Sequence, residues 1–245
     1  MKKSGLVSLI AATVFAASPV LSNSLPVMPD KEYQESSQEI LRNVSQEPII
    51  QKDCHIDVLF LVDYSGSMQE HMEDAKMQLM AAVGDFEARY SDPRYALAVT
   101  NGTPDPYSLL KNFTEDSSNG PKEKVIDGAT EVKMLFEGIH TTGGLAAPEP
   151  YAAALRSAKR DAQWRDNAAQ LVVIVGDEVP SEFQKRELYL AVNLGNQANI
   201  LLNYGGEKNQ EAWVEANPDW ITSPQHFMAT LKHYSQRVCR GLAMR

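Results

Sequence analysis

Val58-Leu59-Phe60-Leu61-Val62 is an apolar run without a polar break, and it stops abruptly at Asp63-Tyr64-Ser65-Gly66-Ser67. A strand that is apolar at every position must be covered on both faces, the condition of a central strand in a parallel sheet. Two later runs share this character: Leu171 to Val175 ends at Gly176-Asp177, and Ile200 to Asn203 is closed by Gly205-Gly206. Between them apolar residues recur at spacings of three and four, as one face of a helix requires. Met72, Ala75, Leu79, Val83, Phe86 and Tyr90 mark the first such helix, and Val125, Ala129, Val132, Phe136 and Ile139 the second. Tyr151, Leu155 and Ala158 mark a third, Phe183, Leu190 and Leu194 a fourth, and Phe227, Leu231, Tyr234 and Val238 a last one. Residues 95–100 predict a second strand and 108–113 an antiparallel edge strand. The alternation predicts an α/β fold with a doubly wound, mostly parallel central sheet and helices on both faces. Residues 208–224, with Trp213 and Trp220, predict a loop and short helix shielding the sheet edge.

The residues after the first run carry chemistry. Asp63, Ser65 and Ser67 present one carboxylate and two hydroxyls on a tight turn, with Gly66 easing the bend. These are hard oxygen donors suited to Mg²⁺, Mn²⁺ or Ca²⁺. The alternative role for the serines is to cap the helix that follows. Ligands of doubly wound sheets bind beyond the carboxyl ends of the strands, where both Asp63 and Asp177 fall.

The Asp-x-Ser-Gly-Ser run, after a buried strand and before a long amphipathic helix, resembles the metal-ion-dependent adhesion site of von Willebrand factor type A domains. The resemblance covers residues 54–241 and implies a Rossmann-like fold. It also implies a divalent cation, Mg²⁺ first, with Mn²⁺ or Ca²⁺ possible, held by three loops. Asp63, Ser65 and Ser67 match the first loop and Asp177 the third. For the second, counting back from Ala154-Leu155 reaches Glu149 in Pro148-Glu149-Pro150, where most members have threonine. The pair resembles the variant of integrin beta-subunit inserted domains, with Thr142 in reserve. Tyr64, His140, Thr142 and Glu178 would line a partner-binding rim. The implied function is adhesion: the cation completes its shell with an acidic group of a protein or extracellular-matrix ligand. A glutamate ligand neutralises more of the cation's charge and weakens its pull on an outside acid. Asp63→Ala is expected to lose the cation and keep the fold, a site at a strand mouth lying outside the core.

The chain has 245 residues and a net charge of −9. Lys2 and Lys3, then the short apolar run from Leu6 to Ala17, predict a signal peptide over 1–22, and hence a secreted, periplasmic or cell-surface location. Its removal leaves 21 basic against 32 acidic residues, with no basic block, which argues against nucleic acid or anionic membranes as partners. No later segment is long and apolar enough to span a bilayer. Residues 23–53, rich in Ser, Gln, Glu and Asn, predict a flexible leader. Export favours a bridge between the only two cysteines, Cys54 and Cys239, which would tie the domain ends together; the alternative is two buried thiols. Some members of the family are closed by a similar disulfide.

Other signals are weaker. His71 and Glu73 form no zinc pattern, and no nucleophile elbow or phosphate loop is present. Sequons stand at Asn43, Asn101 and Asn112. His226 and His233 read as solvated, and the methionines as core or signal residues. Two other functions stay open: an assembly or chaperone-like subunit of an exported complex with a structural metal, and a metal-assisted hydrolase. A binding module rather than an enzyme is the expectation, because no general base or second metal stands out.

Overall fold

The computed structural model describes residues 54–101, 108–113, 128–142, 151–178, 182–206, 210, 213–215 and 218–243. The expected signal peptide and leader, 1–22 and 23–53, lie outside the described residues. The apolar run forms strand β1, Ile56–Asp63, buried at all eight positions. Strand β2, Pro93–Thr100, pairs with it in parallel on one side, and β4, Ala169–Gly176, on the other. Strand β3, Ser108–Lys111, closes the β2 side as an antiparallel edge. Strand β5, Ala198–Asn203, and β6, Trp220–Thr222, extend the other side in parallel. The spatial order is β3-β2-β1-β4-β5-β6, so the winding direction reverses between β1 and β4.

Side chains leave β1 alternately to two cores. Val58, Phe60 and Val62 meet helices α1, Met72–Arg89, α2, Gly128–Gly138, and α5, Phe227–Ala243. Leu59 and Leu61 meet α3, Tyr151–Asp161, and α4, Glu182–Val192. Phe60 anchors the first core, its ring edge-on to Phe136 at 5.2 Å. Two fully apolar sheet faces are what oblige the chain to supply helices on both sides.

Two buried charges hold the ends of these elements. Asp57 is fully buried within β1. It accepts from Arg94 Nε and Nη2 at 3.0 and 2.9 Å and from the Arg165 backbone N–H at 2.8 Å, tying β1 to β2 and to the entry of β4. Lys159 of α3 donates to the carbonyls of Ala191, Val192 and Leu194 at 3.1, 2.7 and 3.2 Å. It thus satisfies the otherwise open end of α4 and offsets the negative pole of its dipole. Cys54 and Cys239 are joined as a disulfide with Cα atoms 5.9 Å apart.

Several expectations need correction. Leu190 and Leu194 are exposed, at 50% and 45%; the buried face of α4 is Leu188, Ala191 and Val192, and Leu194 lies past the helix end. The 208–224 stretch carries a sixth strand, β6, which three residues are too few to announce by period. Residues 213–215 are helical, and Trp213 is buried in the second core. Helix α2 is described from Gly128, so Val125 lies outside the described residues. His226 is exposed, but His233 is half-buried against the Tyr234 ring at 5.4 Å. Met68 and Met72 are core residues; Met77 and Met134 are exposed. The Asn101 and Asn112 amides donate to Thr142 Oγ1 and to the Asp161 carbonyl, each at 2.9 Å, so neither is a free acceptor for a glycan.

Candidate metal centre

The reversal point of a doubly wound sheet opens a crevice beyond the strand ends. Here it lies between β1, ending on Asp63, and β4, ending one residue before Asp177. After Asp63 the chain turns sharply into a 3₁₀ turn, Gly66–Glu70. The Ser65 N–H donates to Asp63 Oδ1 at 2.8 Å, which points the carboxylate back into the turn. Ser65 Oγ and Ser67 Oγ then lie 2.9 Å apart. Ser67 Oγ is also 3.1 Å from Asp177 Oδ1 and 3.2 Å from Glu178 Oε1. Two loops, 110 residues apart in sequence, thus converge four oxygen-bearing side chains.

The cluster fits a hard divalent cation. Its four side chains are two hydroxyls and two carboxylates, all hard oxygen donors. On an octahedral Mg²⁺ with oxygens at about 2.1 Å, neighbouring ligands stand about 3 Å apart, the spacing seen here. Among the described residues no three carboxylate, imidazole or thiol groups converge closely enough to hold an ion by themselves. Thr100, in register with Asp63 on β2, keeps a buried hydroxyl with no partner.

Asp63 itself departs from expectation. It is fully buried, not at the rim of the core. Its Oδ2 accepts a short hydrogen bond from the Tyr151 hydroxyl. Burial pushes its carboxyl up to about 6; the bonds from Tyr151 and Ser65 oppose the rise, and the charge of Asp177 adds to it. Asp177 is also raised by burial, against its bond from Ser67 and the charge of His71. A cation beside them would favour both charged forms and so offset the rise that burial causes.

Glu178, read as a rim residue, has its Oε1 3.2 Å from Ser67 Oγ. Thr142 is exposed; its N–H donates to the Tyr64 carbonyl at 3.0 Å, and its hydroxyl accepts from Asn101. That pairing seats the segment after α2 on the first loop. Tyr64 is half-buried there and His140 exposed. Glu149 lies outside the described residues.

Further residues around the cluster were not read from the sequence as part of it. Asn101 links the end of β2 to Thr142. His71 stacks on Tyr204 at 5.2 Å, and the Tyr204 hydroxyl donates to Asp74 Oδ2 at 2.8 Å. With Asn203 and Gln225 they line a polar hollow on the His71 side of the site. Tyr151 was legible only as a core position.

No protein-family model matches the chain, and no curated protein matches it in sequence. Solved structures match its fold. Proximal thread matrix protein 1 from the mussel byssus superposes with a TM-score of 0.53 at 13% identity, over 76% of this chain and 46% of that one. A further structure of the mussel protein has a zinc-occupied metal-ion-dependent adhesion site; it aligns at 14% identity and a TM-score of 0.53, over 74% of this chain and 46% of its own. BatB from Bacteroides thetaiotaomicron aligns at 14% identity and a TM-score of 0.54, over 78% of this chain and 100% of its own. The von Willebrand factor type A domain of an Rpn10 protein aligns at 15% identity and a TM-score of 0.50, over 69% and 87%. This chain spans less than half of the mussel protein's length. The shared architecture is the von Willebrand factor type A fold, and this chain has it.

Proposed function

We propose that the chain is an exported, metal-dependent protein-binding module. The observation that carries this is the Ser65–Ser67–Asp177–Glu178 oxygen cluster, gathered about Ser67 Oγ at the sheet's reversal point. Ser65, Ser67 and Asp177 would hold the ion, with Glu178 beside them and Glu149 supplied by the second loop. Asp63 would act from behind, orienting Ser65. The bound cation supplies a positive pole that a carboxylate of the partner can complete; no bond need be made or broken, and the module is not an enzyme. The all-oxygen donor set suits a hard cation, Mg²⁺ first, with Mn²⁺ or Ca²⁺ possible. The zinc found in the mussel protein supports a divalent cation as the class. Asp177, Glu178 and Glu149 together match or exceed the ion's double charge, so the pull on a partner's acid is weakened. Tyr64, Thr142 and His140 would frame the partner. The Cys54–Cys239 bridge supports an oxidising location. Among the described residues no helix is long and apolar enough to cross a membrane.

The test is retention of two peptide libraries on the immobilised chain, one carrying a single Asp or Glu and one with Asn or Gln in its place. Mg²⁺-dependent retention of the acidic library alone is the expected result. Retention indifferent to EDTA or to the carboxylate contradicts it. Stability that depends on metal without such retention would favour a structural ion in an assembly subunit.

A further inference from the structure

Tyr151 and Trp213 touch both described loops of the candidate metal centre without offering it a ligand. Tyr151 is the first residue of α3 and follows directly on the second loop. Its hydroxyl donates to Asp63 Oδ2, the oxygen that Ser65 does not use. To reach it the phenol passes over the end of β4. A Cβ at Gly176 would overlap the Tyr151 hydroxyl and stand 2.9 Å from Cζ, so only glycine fits there, one residue before Asp177. Behind the phenol lies Trp213, fully buried, its ring edge-on to Tyr151 at 5.2 Å. The Trp213 indole N–H donates to the main-chain carbonyl of Glu178 at 3.2 Å.

We infer that Tyr151 and Trp213 form an aromatic brace that sets the spacing of the first and third loops and thereby the site's discrimination between small and large divalent cations. This rests on the metal-binding function proposed above. The first loop is held through Asp63. The third is held through the Gly176 passage and the Glu178 carbonyl. Neither aromatic is a ligand; both are positioning residues. The consequence follows from ion chemistry. Mg²⁺ demands near-ideal octahedral geometry at about 2.1 Å, whereas Ca²⁺ accepts irregular shells at 2.3–2.6 Å. Loosening the brace therefore penalises Mg²⁺ and spares Ca²⁺.

Tyr151→Phe keeps the ring on Trp213 and over Gly176 and removes only the hydroxyl. Calorimetric titration of the full chain with Mg²⁺ and with Ca²⁺ should show Mg²⁺ affinity falling tenfold or more, with Ca²⁺ affinity changing less than threefold. Trp213→Phe, which loses the indole N–H, should shift selectivity in the same direction. It serves as the independent readout if Tyr151→Phe fails to fold. A parallel loss of both affinities would assign the pair a merely structural role, and unchanged affinities would remove it from the site; either overturns the brace. A wild-type chain that binds neither ion overturns the metal-binding function itself, and the brace with it.

Discussion

Asp63 and Asp177 both end strands, yet the structure gives them different duties. Asp63 is buried and accepts from the Ser65 N–H and the Tyr151 hydroxyl; Asp177 is half-buried and faces Ser67. Asp177→Asn should abolish cation binding and leave urea stability in EDTA within about 0.5 kcal/mol of wild type, as for a substitution outside the core. Asp63→Ala should lose the cation too, but also about 1–3 kcal/mol of stability in EDTA, because it strands two buried donors. Equal stability of the two variants would contradict this division. The residues of the cluster were legible as candidates because an apolar run that breaks at a carboxylate marks a strand end, and the strand ends at the reversal point of such a sheet line its crevice. Tyr151 was not, because at helical spacing an aromatic reads as core whether or not its hydroxyl has a task. Glu178 was placed at the rim because sequence shows adjacency to Asp177 but not the turn that brings both onto Ser67.

At the scale of elements, the central strands and the long helices α1 and α5 follow from sequence because their periods run over many residues. Helix α4 shows the limit. Leu190 and Leu194 fit a helical spacing, but Lys159 stops α4 at Val192 and the face that packs is Leu188, Ala191 and Val192. That lysine also gives a pH dependence. Burial lowers its ammonium from 10.5 to about 8, with the charge of Asp219 acting the other way. Between these values the unfolded chain binds the extra proton, so stability rises with pH from about 8 to 10, by up to about 3 kcal/mol. Below pH 8 both states are protonated and this contribution is flat. Above pH 10, Tyr90 and Tyr234, raised by burial, reverse the slope. Urea unfolding across pH 7–10 should show the rise in wild type and not in Lys159→Met; a rise in both would contradict the assignment.

For the molecule as a whole, order and winding place function at one end and reinforcement at the other. The site lies beyond the carboxyl ends of β1 and β4. The disulfide, and Asp57 with its two arginines, lie near their amino ends. The bridge spans 185 residues, for which loop closure gives a stabilisation of at most about 5 kcal/mol. Cys54→Ser with Cys239→Ser should lower the urea midpoint accordingly and leave Mg²⁺ affinity unchanged, since the eight residues of β1 separate bridge from site by about 25 Å. A matching loss of affinity would show that the two ends are coupled.

The central claim, that the oxygen cluster is a divalent-cation site, is tested most directly by calorimetric titration of the chain with Mg²⁺ beside Asp177→Asn and Glu149→Gln. One ion should bind per wild-type chain, binding should vanish in Asp177→Asn, and it should weaken at least tenfold in Glu149→Gln. A wild-type chain that releases no heat with Mg²⁺ or Mn²⁺ and gains no stability from either would contradict the claim.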